Sequence, residues 1–96
     1  MKFLMKWHVH QDKRHDVAKV FSQMTGDDDQ KDMGDKIKII GRYHDLAKFE
    51  GVVIFESDDA QAMASWALNW NNVVDFEVSP VLDDDEVREI GKKKFG

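Results

Sequence analysis

The chain contains no cysteine, only one proline, and no apolar run approaching the ~18 residues that a membrane-spanning helix needs. Without cysteine there is no disulfide framework and no thiolate nucleophile or thiolate metal ligand, which suits a cytoplasmic setting. Basic residues are in the minority, 14 Lys and Arg against 19 Asp and Glu, for a net charge of −5. A nucleic-acid partner is therefore not expected, because neutralising phosphates takes clustered Lys and Arg. The single basic run, Lys92-Lys93-Lys94, lies at the C-terminus and reads as a solvated tail. The N-terminal MKFLMKWHVH is interrupted by Lys6 and His8 and cannot be the core of a signal peptide. A glycine-rich phosphate loop and a serine in a nucleophile-elbow context are also missing. These absences leave a soluble cytoplasmic domain with neither a nucleic-acid nor a membrane partner, and with no cofactor motif.

Against this stand an apolar fraction of 42%, three Trp and six Phe, enough for one folded domain across residues 1–96. The chain is organised around Lys36 to Ser57, KIKIIGRYHDLAKFEGVVIFES, where two β-branched runs flank a polar turn as in a hairpin. Strict alternation puts Ile37, Ile39, Gly41 and Tyr43 on one face, and Lys38, Ile40, Arg42 and His44 on the other. The run Val52 to Phe55 is apolar on both faces. Its register stays open: either Val52, Ile54 and Glu56, or Val53 and Phe55, face away from the helices.

Lys2 to His10 alternates as a half-buried strand, with Phe3, Met5, Trp7 and Val9 opposite Leu4, Lys6, His8 and His10. Lys13 to Met24 reads as a helix with Asp12 as its N-cap and Val17, Val20, Phe21 and Met24 as its stripe. Thr25 to Asp35 has five Asp, two Gly and no periodicity, and is expected to be a loop. It fails as a calcium loop: counted from Asp27, the sixth position is Asp32 where an EF-hand needs Gly. Ser57-Asp58-Asp59 offers caps for a second helix, Ala60 to about Asn71. Trp66 and Trp70 widen that helix's apolar surface and call for a cover, either the C-terminal segment or a second subunit. Val73 to Val81 is a strand, placed at a sheet edge by Pro80. Asp83 and Glu86 resemble a capping box that starts a short helix, with Val87 and Ile90 inward and Gly91 at its end.

The order β-α-β, β-α-β, short helix is the ferredoxin-like α+β arrangement, an antiparallel sheet with both long helices on one face. Right-handed crossovers place the first and third strands in the centre and the second and fourth at the edges. The helix-free face is too apolar for water and too polar for a dry core, so a second copy is expected to cover it.

Three segments carry a family resemblance: Gly41-Arg42-Tyr43-His44-Asp45, Trp66-Ala67-Leu68-Asn69-Trp70-Asn71 and Val78-Ser79-Pro80-Val81-Leu82. They resemble a family of small bacterial domains of unknown function, whose motif has Trp where Tyr43 stands here. That family is similar in turn to the dimeric α/β-barrel superfamily, which includes cofactor-independent antibiotic-biosynthesis monooxygenases and muconolactone-isomerase-like proteins. The resemblance implies a ferredoxin-like homodimer, joined through the sheet face into a dimeric α/β barrel. It assigns no catalytic residue.

With this topology His8, His10 and His44 meet at one end of the helix-free face beside Arg42, and imidazoles are readily tuned for proton transfer near neutral pH. They are the candidate general bases. Arg42 either pairs with Glu56 across the hairpin or clamps a carboxylate ligand. Arg42, His44, Tyr43 and Trp70 are the candidate ligand-binding residues, the aromatics as walls for a flat molecule. No metal site is assigned: His8 and His10 share a face, but His44 lies two strands away, roughly 10 Å at ~4.8 Å per strand. An RNA-binding role is set aside because FEGVVIFE has Val where stacking aromatics would stand. The expected function is binding of a small organic ligand in a cleft on the helix-free face, with cofactor-free oxidation or isomerisation. The alternative is a non-catalytic dimerisation or interaction module.

Overall fold

The strand pattern builds one four-stranded antiparallel sheet in the computed structural model, which describes residues 1–96. The elements run β1 (Lys2–Val9), a 3₁₀ turn (Gln11–Lys13), α1 (Arg14–Gln23), α2 (Gly26–Met33), β2 (Lys38–Asp45), β3 (Glu50–Glu56), α3 (Ala60–Leu68), β4 (Val74–Val81) and α4 (Asp84–Phe95). This is an α+β fold with four helices and the strand order β2-β3-β1-β4. The first and third strands are central, as crossover handedness requires. None of the helices is long and apolar enough to cross a membrane.

The register decides the third-strand question. Phe3 pairs with Phe55, Met5 with Val53 and Trp7 with Gly51, so Val53 and Phe55 point toward the helices, while Val52, Ile54 and Glu56 face away. Phe55 is fully buried. Its ring stacks 5.5 Å from Phe3 and meets Trp66 edge-on at 5.4 Å. Met5, Met33, Ile37, Val53, Phe55 and Trp66 form the continuous core, which joins β1 and β3 to α2 and α3.

The second strand departs from strict alternation. Ile39 pairs with Phe55 but Gly41 pairs with Ile54, so Ile40 is an extra residue in a β-bulge. One inserted residue reverses the facing of everything after it. Arg42 and His44 therefore turn to the helix side, opposite Val53 and Gly51. Tyr43 turns to the helix-free side, where it is 70% exposed. All three placements are the reverse of those expected from the sequence. Gly41 accommodates the change: a Cβ there would lie 3.1 Å from the Tyr43 ring, which folds back over it.

The acidic segment is a helix and not a loop. Thr25 Oγ1 accepts from the Asp28 N–H at 3.1 Å, and Asp28 Oδ2 accepts from the Thr25 N–H at 2.9 Å, closing a capping box. Asp27, Asp28 and Asp29 fill the first turn, where the helix dipole favours negative charge. Gly34, at φ 80°, ends the helix. Elsewhere α1 starts at Arg14 with no side-chain cap, so Asp12 is not its N-cap. Asp59 caps α3 through the Ala62 N–H at 3.0 Å. The Asp83–Glu86 capping box forms as expected, but α4 continues through Gly91 to Phe95, and Val87 and Ile90 point outward.

Candidate functional site

Helix α1 buries none of its residues. It stands off the sheet and leaves a cavity of about 890 Å³ beneath it. Met5, Trp7, Val53 and Phe76 form the floor, Trp66 and Trp70 line the α3 side, and Val17 and Phe21 line the α1 side. A smaller cleft of about 520 Å³, lined by Lys6, His8, Tyr43, Glu50, Asp75 and Glu77 among others, lies on the helix-free face where one is expected, while the 890 Å³ space lies on the helix-covered face. The reason is the weakness of α1's apolar stripe: Val17 and Phe21 are only half-buried and Val20 is exposed. Gly51 shapes the floor, since a Cβ at that position would collide with the Trp7 indole lying across the strand.

The bulge brings His44 to the mouth of this cavity. Its ring packs edge-on to Trp7 at 5.1 Å and against Phe21 at 5.0 Å. Partial desolvation beside these rings, and then the positive charge of Arg42, hold the pKa of this otherwise exposed side chain below the ordinary histidine value of 6.5. His44 is accordingly neutral at pH 7 and able to accept a proton.

Arg42 does not reach Glu56. Its guanidinium makes a bidentate pair with Asp29 of α2, Nη1 to Oδ1 at 3.1 Å and Nη2 to Oδ2 at 2.7 Å, and lies 5.1 Å over the Phe21 ring. Both partners are largely buried, a setting in which paired charges hold firmly. Arg42 thus enters the site already neutralised.

Asp32, also on α2, accepts hydrogen bonds from both indoles: Trp70 Nε1 at 2.8 Å and Trp66 Nε1 at 3.2 Å. Asn69 Nδ2 donates to it at 3.0 Å. The cover sought for the two tryptophans is therefore α2, and neither the C-terminal segment nor a second subunit is needed. One end of the cavity is closed by Phe49, a bulky residue at φ 53°, in the left-handed region that such residues rarely adopt. Its ring lies 5.6 Å from those of His15 and the Arg14 guanidinium alike. His15, a further imidazole lining the cavity, was not singled out by sequence pattern. A lone histidine on a helix has no signal until the fold supplies its neighbours.

The three predicted imidazoles do not all meet in one place: His8 and His44 both border the smaller cleft beside Tyr43, which His10 does not line. His44 and Trp70 line the cavity with Arg42, whereas His8 and His10 lie on the helix-free side with Tyr43. There His8 Nδ1 sits 3.2 Å from Glu50 Oε1 and His10 Nε2 sits 3.0 Å from Asp75 Oδ1. No group of three or more His, Asp or Glu side chains is spaced to hold a metal ion.

Residues 1–95 match the family described as a domain of unknown function, DUF3303. No curated protein matches the chain.

Proposed function

The chain belongs to that family, whose description carries no activity, and we propose that its cavity receives a small planar organic molecule with which His44 exchanges a proton. The observation that carries this reading is the 890 Å³ cavity itself, walled by aromatic rings with a neutral imidazole at its mouth. Arg42 and Asp32, the charged groups deepest against the aromatic walls, are already engaged, Arg42 by its ion pair with Asp29 and Asp32 by hydrogen bonds from two indoles and an amide. The preferred ligand is therefore uncharged, with an acidic O–H or C–H directed at His44. Removing such a proton and returning it to a neighbouring atom is an isomerisation balanced within substrate and imidazole, and it calls on no cofactor. We read the fold as ferredoxin-like and the helix-free face as the place where a second copy pairs, in a cytoplasmic homodimer of the dimeric α/β-barrel kind. A purely non-catalytic interaction module is the weaker reading, since the chain's own side chains leave an aromatic-walled space beneath α1.

The test is a titration of the full chain with 2-naphthol and 2-tetralone, followed by tryptophan fluorescence. Saturable quenching is expected, and Ala18→Trp, which fills the cavity, should abolish it while the far-ultraviolet circular dichroism stays unchanged. His44→Ala should keep the binding but lose enzyme-dependent deuterium exchange at the 2-tetralone α-carbon. If neither compound binds the wild type, the ligand reading fails.

A further inference from the structure

The single chain exposes more surface than its mass accounts for. A compact monomer of 11.1 kDa exposes about 5,700 Å², and this one exposes 7076 Å². Its radius of gyration is 15.5 Å, against roughly 12.5 Å for a compact domain of this length. The surplus of roughly 1,400 Å² exceeds the ~800 Å² that each partner contributes to a standard interface. Part of it is the cavity under α1. Two further apolar surfaces are left uncovered by the chain.

One is α4. Its first turn is tied down, because Lys2 Nζ reaches Glu86 at 3.3 Å and Asp83 at 3.4 Å. The Glu86 backbone N–H, and then Lys2, hold the Asp83 carboxyl below its usual range. Beyond that turn Val87, Ile90 and Phe95 are 56%, 52% and 90% exposed, although their spacing gives one stripe on one side of the helix. The other surface is the helix-free sheet face, with Leu4, Val52 and Ile54 in its middle and Ile40 on its β2 edge. Glu50, Asp75 and Glu77 lie at the end where β1 finishes, with Lys6 as the nearby cation. The last turn of α4 carries Lys92, Lys93 and Lys94. The helix is thus apolar along one stripe and basic at its end, and the sheet face is apolar in its middle and acidic at one end.

We propose that α4 is an exchanged arm: in a pair of chains, each α4 lies along the helix-free sheet face of the other copy. Val87 and Ile90 cover the apolar centre, and the terminal lysines meet the acidic end. The helix, about 18 Å long at ~1.5 Å per residue, spans most of a β3 strand of about 23 Å. The inference rests on the reading of this face as the pairing surface. It deepens that reading by placing a helix, and not only a second sheet, on it.

Sedimentation velocity of the full chain at micromolar concentration tests it. The wild type should be a dimer. Val87→Glu with Ile90→Glu should be monomeric, as should Ile54→Glu, and all should keep wild-type circular dichroism because these side chains are exposed in the single chain. Reversing Lys92, Lys93 and Lys94 to Glu should weaken the dimer ~10-fold, as two or three exposed ion pairs would. Glu50→Lys with Glu77→Lys in the same chain should restore most of that loss. If the α4 double variant stays dimeric while Ile54→Glu dissociates, the arm is overturned and direct pairing of the sheet faces stands. A monomeric wild type overturns both readings, and leaves the ligand cavity to be judged by its own titration.

Discussion

The helix layer has a closed half and an open half. Over the closed half, α2 and α3 bring Met33 and Trp66 down onto Val53 and Phe55, and Asp32 locks the two indoles from above. Over the open half, α1 places Val17 and Phe21 only part-way toward the sheet and buries nothing. The same sheet lies under both, so the difference comes from the helices. In the closed half every buried polar side-chain atom has a partner, whereas Arg14 Nε on α1 has none and the open half keeps room for something that is not protein. The cavity is the part of the core that the chain leaves unfilled.

The largest expected effect is in the closed half. Phe55→Ala should destabilise the fold by about 3–5 kcal/mol, because a fully buried ring leaves a hole its neighbours cannot refill. Urea unfolding with an unchanged slope would confirm it, and a loss below about 1 kcal/mol would show that the two halves are equally loose. Asp32→Ala should follow at about 2–3 kcal/mol, since it leaves two indole N–H groups without an acceptor. It should also red-shift the tryptophan emission as the indoles reach water. Thr25→Ala opens the capping box and should lose about 1 kcal/mol, with reduced amide protection across residues 26–29. In the open half, Phe21→Ala should change stability by no more than about 1 kcal/mol, because the ring is only half-buried. The same change should weaken ligand binding clearly. A large stability loss there would erase the contrast.

The smallest effect is the pH response of His44. Its folded pKa is depressed below 6.5, so below that pH the unfolded chain takes up a proton that the folded chain resists. Stability attached to this group is present above pH 6.5 and falls as pH drops toward the folded pKa. His44→Gln should flatten that part of the stability profile. A variant profile as steep as the wild type would place the titration elsewhere.

Much of this was legible from residue order. The alternation of Phe3, Met5, Trp7 and Val9 identifies a strand and its buried face, and Asp83 with Glu86 marks a helix start. The acidic helix is legible only in its start. Thr25 and Asp28 stand at capping-box spacing, and the density of aspartate masked a pattern more often written with Glu or Gln. The outward facing of α4's stripe is illegible for a different reason: periodicity shows that Val87 and Ile90 share a side, but not whether the chain has anything to put against it.

Local chemistry along the chain decided the strands, the helix starts and, through crossover handedness, which strands sit in the middle of the sheet. Those depend on neighbours a few residues apart and on the twist every L-amino-acid chain shares. Tertiary structure alone decided which side Arg42 and His44 serve, because the bulge at Ile40 exists only in the pairing of β2 with β3, and one unpaired residue there exchanges the two faces of the strand.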